Sequence, residues 1–423
     1  MDTLDWERLL CDRRLRLDAE GRLAWYRSQE TEPRTPAEAD VQRIIFSAPF
    51  RRLAGKTQVY PFARFGALHN RLTHSLETAE VGSGLAEAVF RRLSLPEATR
   101  RAAVLHVRAA CLGHDIGNPP FGHVGEEELR RWAVRRRADL LEFLRSGPDA
   151  PEEILADWER FDGNAQAFRL LAHPRPAGTA WFRLTCATLG AFVKYPCRAN
   201  PSGKFGCFAT AEPCFRRVMR ALGLEDAPGA WRRHPLSYIT EIADDICYCV
   251  TDCEDAVTLG ILEAGVVQEW LVRLLERPSE GLSPAAPLSL FRTVAIGDLM
   301  RCFARDLADA FRKPERLPEL AQRSAAWLRL ARLKRDYSVV FDDRRKRRIE
   351  QTACASLRRT LDAFLAALKT LGGERVSPEA QATFGEAFVV ANRNQTPAWW
   401  LHALFDAVIA MTDAELYAFA ERL

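Results

Sequence analysis

The chain has 423 residues, 48% of them hydrophobic, which is enough to bury a large core in one domain or two. Its formal net charge of +4 is too small to indicate nucleic-acid binding by itself. The charged N-terminus and the absence of an apolar stretch of about 18 residues argue against a signal peptide and a membrane span. Eleven scattered cysteines favour reduced thiols and a cytoplasmic location.

The chain is predicted to be mostly α-helical. Leu and Ala are abundant, and Arg and Glu recur at helical spacing over most of the sequence. Breaks that contain Gly and Pro are short and fall at 146–151, 173–178 and 277–284, where we expect loops. The sequence has no internal repeat and no linker long enough to prove a separate domain.

The first segment that indicates chemistry is Arg71-Leu-Thr-His74-Ser-Leu-Glu77. A helix is predicted over 71–91, because residues on one of its faces recur at helical spacing. Those residues are His74, Thr78, Val81 and Leu85. His74 should therefore point into the protein.

A second helix, predicted over 101–115, ends in a His-Asp pair. Val104, Val107, Cys111 and His114 form one stripe along it. A buried histidine is most often an ordinary core residue, but a buried carboxylate at a helix end, here Asp115, needs a cation or several donors. The sequence Gly117-Asn-Pro-Pro120 then ends the helix.

A third helix, predicted over 239–250, carries two adjacent carboxylates. Asp244, Tyr248 and Asp252 are spaced by four and form one slowly drifting stripe. We therefore choose Asp244 as the ligand and expect Asp245 to cap a helix or to pair with an arginine.

Two histidines and two carboxylates suit an octahedral divalent ion such as Mn²⁺, Mg²⁺, Fe²⁺ or Ni²⁺ better than a structural zinc. Such an ion can polarise a phosphoryl oxygen and orient a phosphate ester for attack by water. Cys247, Cys249 and Cys253 offer a rival metal site, but their spacing does not fit a zinc knuckle, and buried small side chains explain them better.

These segments resemble the HD-domain deoxynucleoside triphosphate triphosphohydrolases, the dGTPase family. The resemblance runs from about Phe46 to the C-terminus. The matching motifs begin at Phe50, Arg71, Gly113, Gly163, Lys194, Lys204, Ala243 and Met411. The C-terminal signature departs from the family pattern, because an arginine that usually follows Met411-Thr412-Asp413 is missing.

The resemblance implies an HD-domain helical core and hydrolysis of a dNTP to a deoxynucleoside and inorganic triphosphate. A preference for dGTP cannot be assumed. The metal ligands would be His74, His114, Asp115 and Asp244. His123 and Glu126 would form the catalytic pair, with Glu126 orienting the imidazole that serves the water or the leaving 5′-oxygen. The alternative for His123 is a helix cap.

The resemblance also implies a set of substrate contacts. Arg71 and Lys194 would neutralise phosphate oxygens, and Tyr248 and Asp252 would contact the sugar, where an added 2′-hydroxyl meets a filled wall. The remaining residues expected near the substrate are Gln58 by the base, Asn118 by the phosphates and metal, Tyr195 beside Lys194, and Asn164 in an outer position. Each of these could instead be an ordinary surface or turn residue.

The resemblance suggests three regions: an N-terminal helical segment over 1–45, an HD-type catalytic domain over 46–275, and a helical C-terminal region over 276–423 that completes the substrate site and an oligomer interface. Family members include oligomers with nucleotide activator sites, so a homo-oligomer such as a hexamer and an activating nucleotide are expectations. The basic run Arg344–Arg348 has three interpretations: a solvated face, a nucleotide or subunit contact, or a site for single-stranded DNA.

Two other functions remain open on the sequence. One is another HD-domain phosphohydrolase, such as a nucleotidase or cyclic-nucleotide phosphodiesterase, which would share the four metal ligands. The other is a nucleotide- or single-stranded-DNA-binding regulator with little activity, which would need the basic runs but not His123. The His123–Glu126 pair and the sugar wall favour the triphosphohydrolase.

Overall fold

The computed structural model describes residues 4–18, 22–28, 31–59, 68–172, 182–200, 203–277, 282–337, 344–370, 385–392 and 394–423. These residues are predominantly helical, which confirms the predicted fold class. Of the predicted loops, 146–151 ends one helix and begins another, 173–178 lies outside the described residues, and 277–284 lies partly outside them. Among the described residues, every helix is too short or too polar to serve as a membrane span.

The N-terminal segment is not uniformly helical, which corrects the prediction for 1–45. Its elements are α1 (Trp6–Leu9), β1 (Arg14–Leu17), β2 (Leu23–Tyr26) and α2 (Pro36–Ile45). β1 and β2 pair antiparallel, because Arg14-Leu-Arg-Leu17 alternates with the period of a strand and Leu23-Ala-Trp-Tyr26 is rich in aromatic residues. The Arg13 guanidinium stacks on the Trp25 ring at 4.7 Å and ties the hairpin to the chain before it.

The central part of the chain is a helical assembly. Its elements are α3 (Ala48–Arg52), α4 (Arg71–Arg92), α5 (Glu97–Gly113), α6 (Gly122–Arg135), α7 (Arg137–Leu144), α8 (Pro151–Glu159), α9 (Gly163–Ala172), α10 (Cys186–Phe192), α11 (Glu212–Ala221), the short strands β3 (Glu225–Ala227) and β4 (Ala230–Trp231), and α12 (Pro235–Thr258). Helices α4, α5 and α12 pack against one another and form its centre.

The C-terminal part is also helical. Its elements are α13 (Ala264–Arg273), α14 (Leu288–Arg312), α15 (Leu320–Arg323), α16 (Ala325–Tyr337), α17 (Arg344–Lys369), α18 (Glu386–Asn392), α19 (Pro397–Ala410) and α20 (Asp413–Arg422). Helix α14 packs on α4 and α12, and α17 packs on α6, α19 and α20. One continuous hydrophobic core therefore joins this region to the central helices.

A buried ion pair anchors the hairpin to this core. The Arg14 guanidinium is fully buried against the fully buried Asp40 carboxylate of α2. Asp40 also accepts hydrogen bonds from the backbone N and Oγ1 of Thr185, at 3.0 and 2.6 Å, and from Thr188 Oγ1 at 2.7 Å. All the groups around this carboxylate are donors, so the pair is stabilising only while each partner remains in place.

We expect Arg14→Met to lower the free energy of unfolding by about 3–5 kcal/mol, because it leaves the Asp40 carboxylate buried without its charge partner. Arg323→Met is the matched control, since Arg323 pairs with Glu319 on the surface with 65% of its side chain exposed and should cost less than about 1 kcal/mol. Urea unfolding followed by tryptophan fluorescence measures both. Equal losses in the two variants would contradict the role given to Arg14.

Candidate active site

Helix α4 begins at Arg71, which places His74 in its first turn. Asn70 caps the helix: its side chain accepts from the Thr73 backbone N at 2.9 Å, and Thr73 Oγ1 accepts from the Asn70 backbone N at 3.1 Å. This reciprocal cap satisfies two donors at the helix start. His74 follows one residue later and is buried.

Three of the four predicted metal ligands form a tight cluster. The possible ligand atoms of His74, His114 and Asp244 all lie within 4.8 Å of one another. Asp244 Oδ1 is 3.0 Å from His74 Nε2 and 3.5 Å from His114 Nε2. The three residues come from α4, from the end of α5 and from α12, so the packing of these helices creates the cluster.

The donor set fits a divalent metal ion. His114 Nδ1 donates to the Cys111 carbonyl at 2.6 Å, which fixes the tautomer and leaves the Nε2 lone pair for a metal. His114 Nε2 is buried and faces the carboxylate oxygens of Asp244 and Asp115 at 3.5 and 3.6 Å. Burial works to lower the pKa of His114, but these two carboxylates raise it to about 9, and a divalent cation between the same atoms would displace the proton.

Asp115, the fourth predicted ligand, lies beside this cluster. Its Oδ1 is 3.6 Å from His114 Nε2, and its Oδ2 is 2.8 Å from Arg71 Nη1. Asn118 Nδ2 also donates to Oδ1. Asp115 is therefore held by Arg71 and Asn118, with one carboxylate oxygen near the histidine that would share its metal.

The charges of the cluster follow from these contacts. Burial works to raise the pKa of Asp244, but the His114 and His74 rings hold that pKa well below its ordinary value. Burial likewise works to raise the pKa of Asp115, and Arg71 with the histidines keeps it below the ordinary value. Both carboxylates are consequently ionised at neutral pH and available as ligands.

The predicted catalytic pair is present as a hydrogen-bonded dyad. His123 Nδ1 lies 3.3 Å from Glu126 Oε2. The His123 side chain is 80% exposed, whereas Glu126 is 7% exposed and its Oε1 accepts from the Gly163 backbone N at 2.8 Å. Burial works to raise the pKa of Glu126, but the hydrogen bond from His123 and the charge of Lys204 lower it. An ionised Glu126 can therefore orient the imidazole.

A strained turn delivers His123 to the site. Phe121 has φ of 63° and Gly122 has φ of 57°, the left-handed region that favours glycine. A Cβ at Gly122 would lie 2.6 Å from Arg71 Nη2. Gly122 thus lets the turn approach Arg71. Helix α6 starts at Gly122, so His123 lies in its first turn.

The C-terminal region holds this turn in place. Asp413 Oδ1 accepts from the Phe121 backbone N at 2.9 Å, and its Oδ2 accepts from the Thr57 backbone N at 3.0 Å. The buried Lys56 ammonium donates to the Asn118 carbonyl at 2.7 Å and to the Ile409 carbonyl at 2.6 Å. The chain end therefore positions the segment that carries Asn118 and His123.

A cavity of about 600 Å³ opens over these groups, a size typical of sites for small ligands. It is lined by all the predicted site residues except Tyr195 and Asp252. The residues brought together are Gln58, Arg71, His74, His114, Asp115, Asn118, His123, Glu126, Asn164, Lys194, Asp244 and Tyr248.

The wall predicted along α12 ends before Asp252. This residue is 1% exposed, does not line the cavity, and burial raises its pKa well above the ordinary value. Residues spaced by four drift by about 40° at each step on an α-helix, so Asp252 lies about 80° around the helix from Asp244. Tyr195 also lies outside the cavity, and its ring lies 5.5 Å from Lys194 Nζ.

The predicted polar contacts of the cavity are in part already engaged. Lys194 Nζ pairs with Glu241 Oε1 at 3.0 Å, and the Asn164 side chain donates to Asp162 at 2.8 Å. Gln58 Oε1 is buried without a hydrogen-bond partner among the described residues. Gln58 is thus the member of this group with an acceptor available to a ligand.

Two cationic residues that the sequence analysis did not place at the site also line the cavity. Lys204 belongs to the Lys204-Phe-Gly206 motif and lies 3.8 Å from Glu126. Lys346 comes from the basic run Arg344–Arg348 and is 4% exposed, whereas Arg347 and Arg348 are exposed. The interpretation of that run as a solvated helix face therefore holds for Arg347 and Arg348 but not for Lys346. The signal available in the sequence was the helical position of Lys346, which differs from that of the exposed Arg347 and Arg348.

The adjacent acid Asp245 has the structural role expected of it, with a different partner. It pairs with Lys334 at 2.7 Å, where an arginine or a helix cap was predicted. Three other histidines also have structural partners: His106 with Thr188, His234 with the Leu9 carbonyl, and His402 with Thr210.

The histidine at position 69 links α4 to α12. His69 Nδ1 lies 2.8 Å from Asp255 Oδ1, and its Nε2 lies 3.3 Å from Glu77 Oε1. The hydrogen bonds with Asp255 and Glu77 raise the pKa of His69 to about 10, against the opposing effect of burial. His69 is therefore charged at neutral pH and joins the helices that carry His74 and Asp244.

Comparison with known proteins agrees with this geometry. The HD domain family model matches residues 71–167. A deoxyguanosinetriphosphate triphosphohydrolase-like protein of Pseudomonas aeruginosa (strain LESB58) is 34% identical over 97% of this chain and 96% of the relative. A protein of the same description from Synechocystis sp. is 35% identical over 72% of each chain. A deoxyguanosinetriphosphate triphosphohydrolase of Yersinia enterocolitica is 34% identical over 55% of this chain and 53% of its own.

The helical core and its histidine–aspartate cluster define the class of HD-domain hydrolases. Within that class, the extent of the match to the first relative settles the family. The chain belongs to the deoxyguanosinetriphosphate triphosphohydrolase-like family, which confirms the family predicted from the sequence.

We expect Asp244→Asn to weaken Mn²⁺ binding by at least about 10- to 100-fold, since even an outer partner of a metal ligand contributes that much. Asp245→Asn is the control, because the Asp245 carboxylate pairs with Lys334 and does not belong to the cluster. Titration with Mn²⁺, followed by electron paramagnetic resonance of the free ion, gives both affinities. Similar affinities for the two variants would exclude Asp244 as a ligand.

We expect the stability difference between the wild type and His69→Gln to depend on pH. The folded-state pKa of His69 is about 10 and the unfolded value is about 6.5, so its contribution is fully present below about pH 6.5 and is lost as the pH rises through about 10. Urea midpoints measured from pH 6 to 10 should therefore converge. A difference that stays constant over this range would contradict the assignment.

Proposed function

We propose that the protein hydrolyses dNTPs to a deoxynucleoside and inorganic triphosphate with the aid of a divalent metal ion. The observation that carries this proposal is that one cavity joins the histidine–aspartate cluster, the His123–Glu126 dyad and four cationic side chains. Those side chains are Arg71, Lys194, Lys204 and Lys346. The names of the relatives support the same substrate class.

The metal would be held by His74, His114 and Asp244, with Asp115 beside them as the fourth donor and the second carboxylate. A divalent ion held by these residues would polarise a phosphoryl oxygen and orient the phosphate. The protein's own contribution is to keep these ligands ionised or correctly protonated. The Cys111 carbonyl does so for His114, and Arg71 does so for Asp115.

The reaction breaks the bond between the α-phosphorus and the 5′-oxygen, while water adds to the phosphorus. The leaving oxygen must gain a proton as that bond breaks. His123 is placed to move this proton because its Nδ1 hydrogen-bonds Glu126, which leaves Nε2 free to face the substrate. The Glu126 carboxylate stabilises the charged imidazole and fixes its orientation.

The triphosphate is the part of the substrate that the cavity suits best. Lys194, Lys204 and Lys346 come from three separate segments and face the same space. Cationic side chains in a partly enclosed site attract phosphate oxygens more strongly than they would in open water. Lys346 therefore gives part of the basic run a role in substrate binding.

The sugar and base would lie toward Tyr248 and Gln58. The Tyr248 ring forms a wall of the cavity and is braced by Tyr337, whose ring lies edge-on at 6.2 Å. A braced aromatic wall would fill the space that an added 2′-hydroxyl needs, which is a physical basis for preferring deoxyribose. Gln58 Oε1 is the proposed acceptor near the base. The contact with the 3′-hydroxyl expected of Asp252 would require this buried side chain to become accessible from the cavity.

The decisive experiment is product identification. Each dNTP and NTP is incubated with the protein and Mn²⁺ or Mg²⁺ in ¹⁸O-water, and the products are identified by ³¹P nuclear magnetic resonance and mass spectrometry. We expect triphosphate that contains ¹⁸O and an unlabelled deoxynucleoside. Orthophosphate or pyrophosphate would instead favour another HD-domain phosphohydrolase, and the absence of any product would favour a nucleotide-binding regulator.

We expect His123→Gln to lower kcat by about 10²- to 10⁴-fold, the usual contribution of a positioned acid or base. Mn²⁺ affinity should not change, because the cluster of His74, His114 and Asp244 is intact. Arg131→Ala is the control on the same helix, since Arg131 is 60% exposed and pairs with Glu127 outside the cavity. Full turnover by His123→Gln would eliminate the dyad as the catalytic pair.

A further inference from the structure

Two cysteines far apart in the sequence meet where the N-terminal segment crosses the start of α10. Cys11 follows α1, and Cys186 is the first residue of α10. The Cys186 backbone N donates to the Arg13 carbonyl at 2.9 Å, and the Ala187 backbone N donates to the Cys11 carbonyl at 3.0 Å. The two thiols are near enough for each to shift the pKa of the other. Backbone pairing on either side therefore holds the sulfur atoms together.

Only one of the two sulfurs is accessible. Cys11 is partly buried and Cys186 is buried. Cys11 lines a surface cavity of about 1310 Å³, separate from the active-site cavity, with four arginines on its wall: Arg8, Arg13, Arg27 and Arg101. The other ionisable groups on that wall are Asp5, Glu7, Asp12, Glu38, Glu97 and His106. A reagent can therefore reach Cys11 first.

The contacts of Cys11 favour its thiolate. Arg13 Nε donates to Cys11 Sγ at 3.4 Å, and the Arg13 guanidinium is held in place by its stacking on Trp25. The hydrogen bond from Cys186 lowers the pKa of Cys11 to about 5, with Arg13 acting in the same direction and burial opposing them. The thiolate is the reactive form of cysteine, and a nearby arginine stabilises it.

The thiol pKa values of the other cysteines are shifted in the opposite direction. Cys197 and Cys354 are the other two that are only partly buried, and burial raises the pKa of both, that of Cys354 to about 11. The remaining thiols are buried, and their pKa values are likewise raised above the ordinary value of the group. Cys11 is thus chemically distinct among the eleven.

We propose that Cys11 is a site of oxidative modification at which a peroxide converts the Cys11–Cys186 pair to a disulfide. The Cys11 thiolate attacks one peroxide oxygen, the O–O bond breaks, and the departing hydroxide takes a proton to become water. Cys186 then loses its proton and attacks the sulfur of the Cys11 sulfenic acid. The S–S bond forms as the S–O bond breaks and a second water leaves.

The bond would join the segment before β1 to the start of a helix that leads into the active site. Helix α10 ends at Phe192, and Phe192 and Lys194 both line the active-site cavity. A cross-link between residues so distant in sequence stabilises the folded chain mainly by restricting the unfolded one. The proposal uses no part of the proposed nucleotide chemistry and can fail or succeed independently of it.

The test uses the reduced full-length protein. Hydrogen peroxide is added, free thiols are blocked with N-ethylmaleimide, and peptides are analysed by mass spectrometry. We expect a Cys11–Cys186 peptide that disappears on reduction, and a higher melting temperature for the oxidised protein. In a parallel measurement, iodoacetamide should alkylate Cys11 faster than Cys197 or Cys354 at pH 6 to 7.

Three variants separate this pair from general thiol oxidation. Cys186→Ala should leave a Cys11 sulfenic acid that dimedone traps, and Cys197→Ser should form the Cys11–Cys186 cross-link as the wild type does. Arg13→Gln should move the alkylation profile of Cys11 to higher pH. The proposal is overturned if Cys11 in the wild type reacts no faster than Cys354, or if peroxide yields no cross-link between Cys11 and Cys186. Both of these readouts come from the wild type and do not depend on the folding of any variant.

Discussion

The contact of the partly buried Asp244 carboxylate with two imidazoles is the interaction on which the site depends. Removing a carboxylate from water costs several kcal/mol unless partners replace the solvent, and here the partners come from α4 and the end of α5. The helices must therefore keep their relative positions for the charge to be tolerated. The charged His69 contacts Glu77 of α4 and Asp255 of α12 and so holds the two helices in register, and a bound cation would add to the same balance.

A second constraint comes from the end of the chain. The turn that carries Phe121 and Gly122 has left-handed backbone conformations, which persist only when the surroundings hold them. Asp413 and Lys56 provide that support from α20 and from the segment before α4. The region after residue 275 is therefore not a structurally separate unit, because the turn at Phe121 and Gly122 shares hydrogen bonds and one hydrophobic core with it.

Helical periodicity was sufficient to predict α4, α5, α12 and the inward direction of His74, His114 and Asp244, because a local repeat determines which face is buried. The pairing of His123 with Glu126 was predicted from the resemblance to the dGTPase family. The hairpin at 14–26 was missed because its strands are only four residues long and depend on the buried Arg14–Asp40 pair. The wall along α12 ends before Asp252 because residues spaced by four drift around the helix. The inward position of Lys346 depends on helices distant in sequence, which spacing along one helix does not determine.

The cavity also shows how a cationic site remains stable before an anion arrives. Arg71 pairs with Asp115, Lys194 with Glu241, Lys204 with Glu126 and Asp162, and Lys346 with Glu350. A phosphate that enters must compete with these acids, so binding exchanges one charge partner for another and does not simply neutralise a free cation. Because Arg71 and a metal ion would share Asp115, the charge of the metal cluster and the hold on phosphate are set by the same carboxylate.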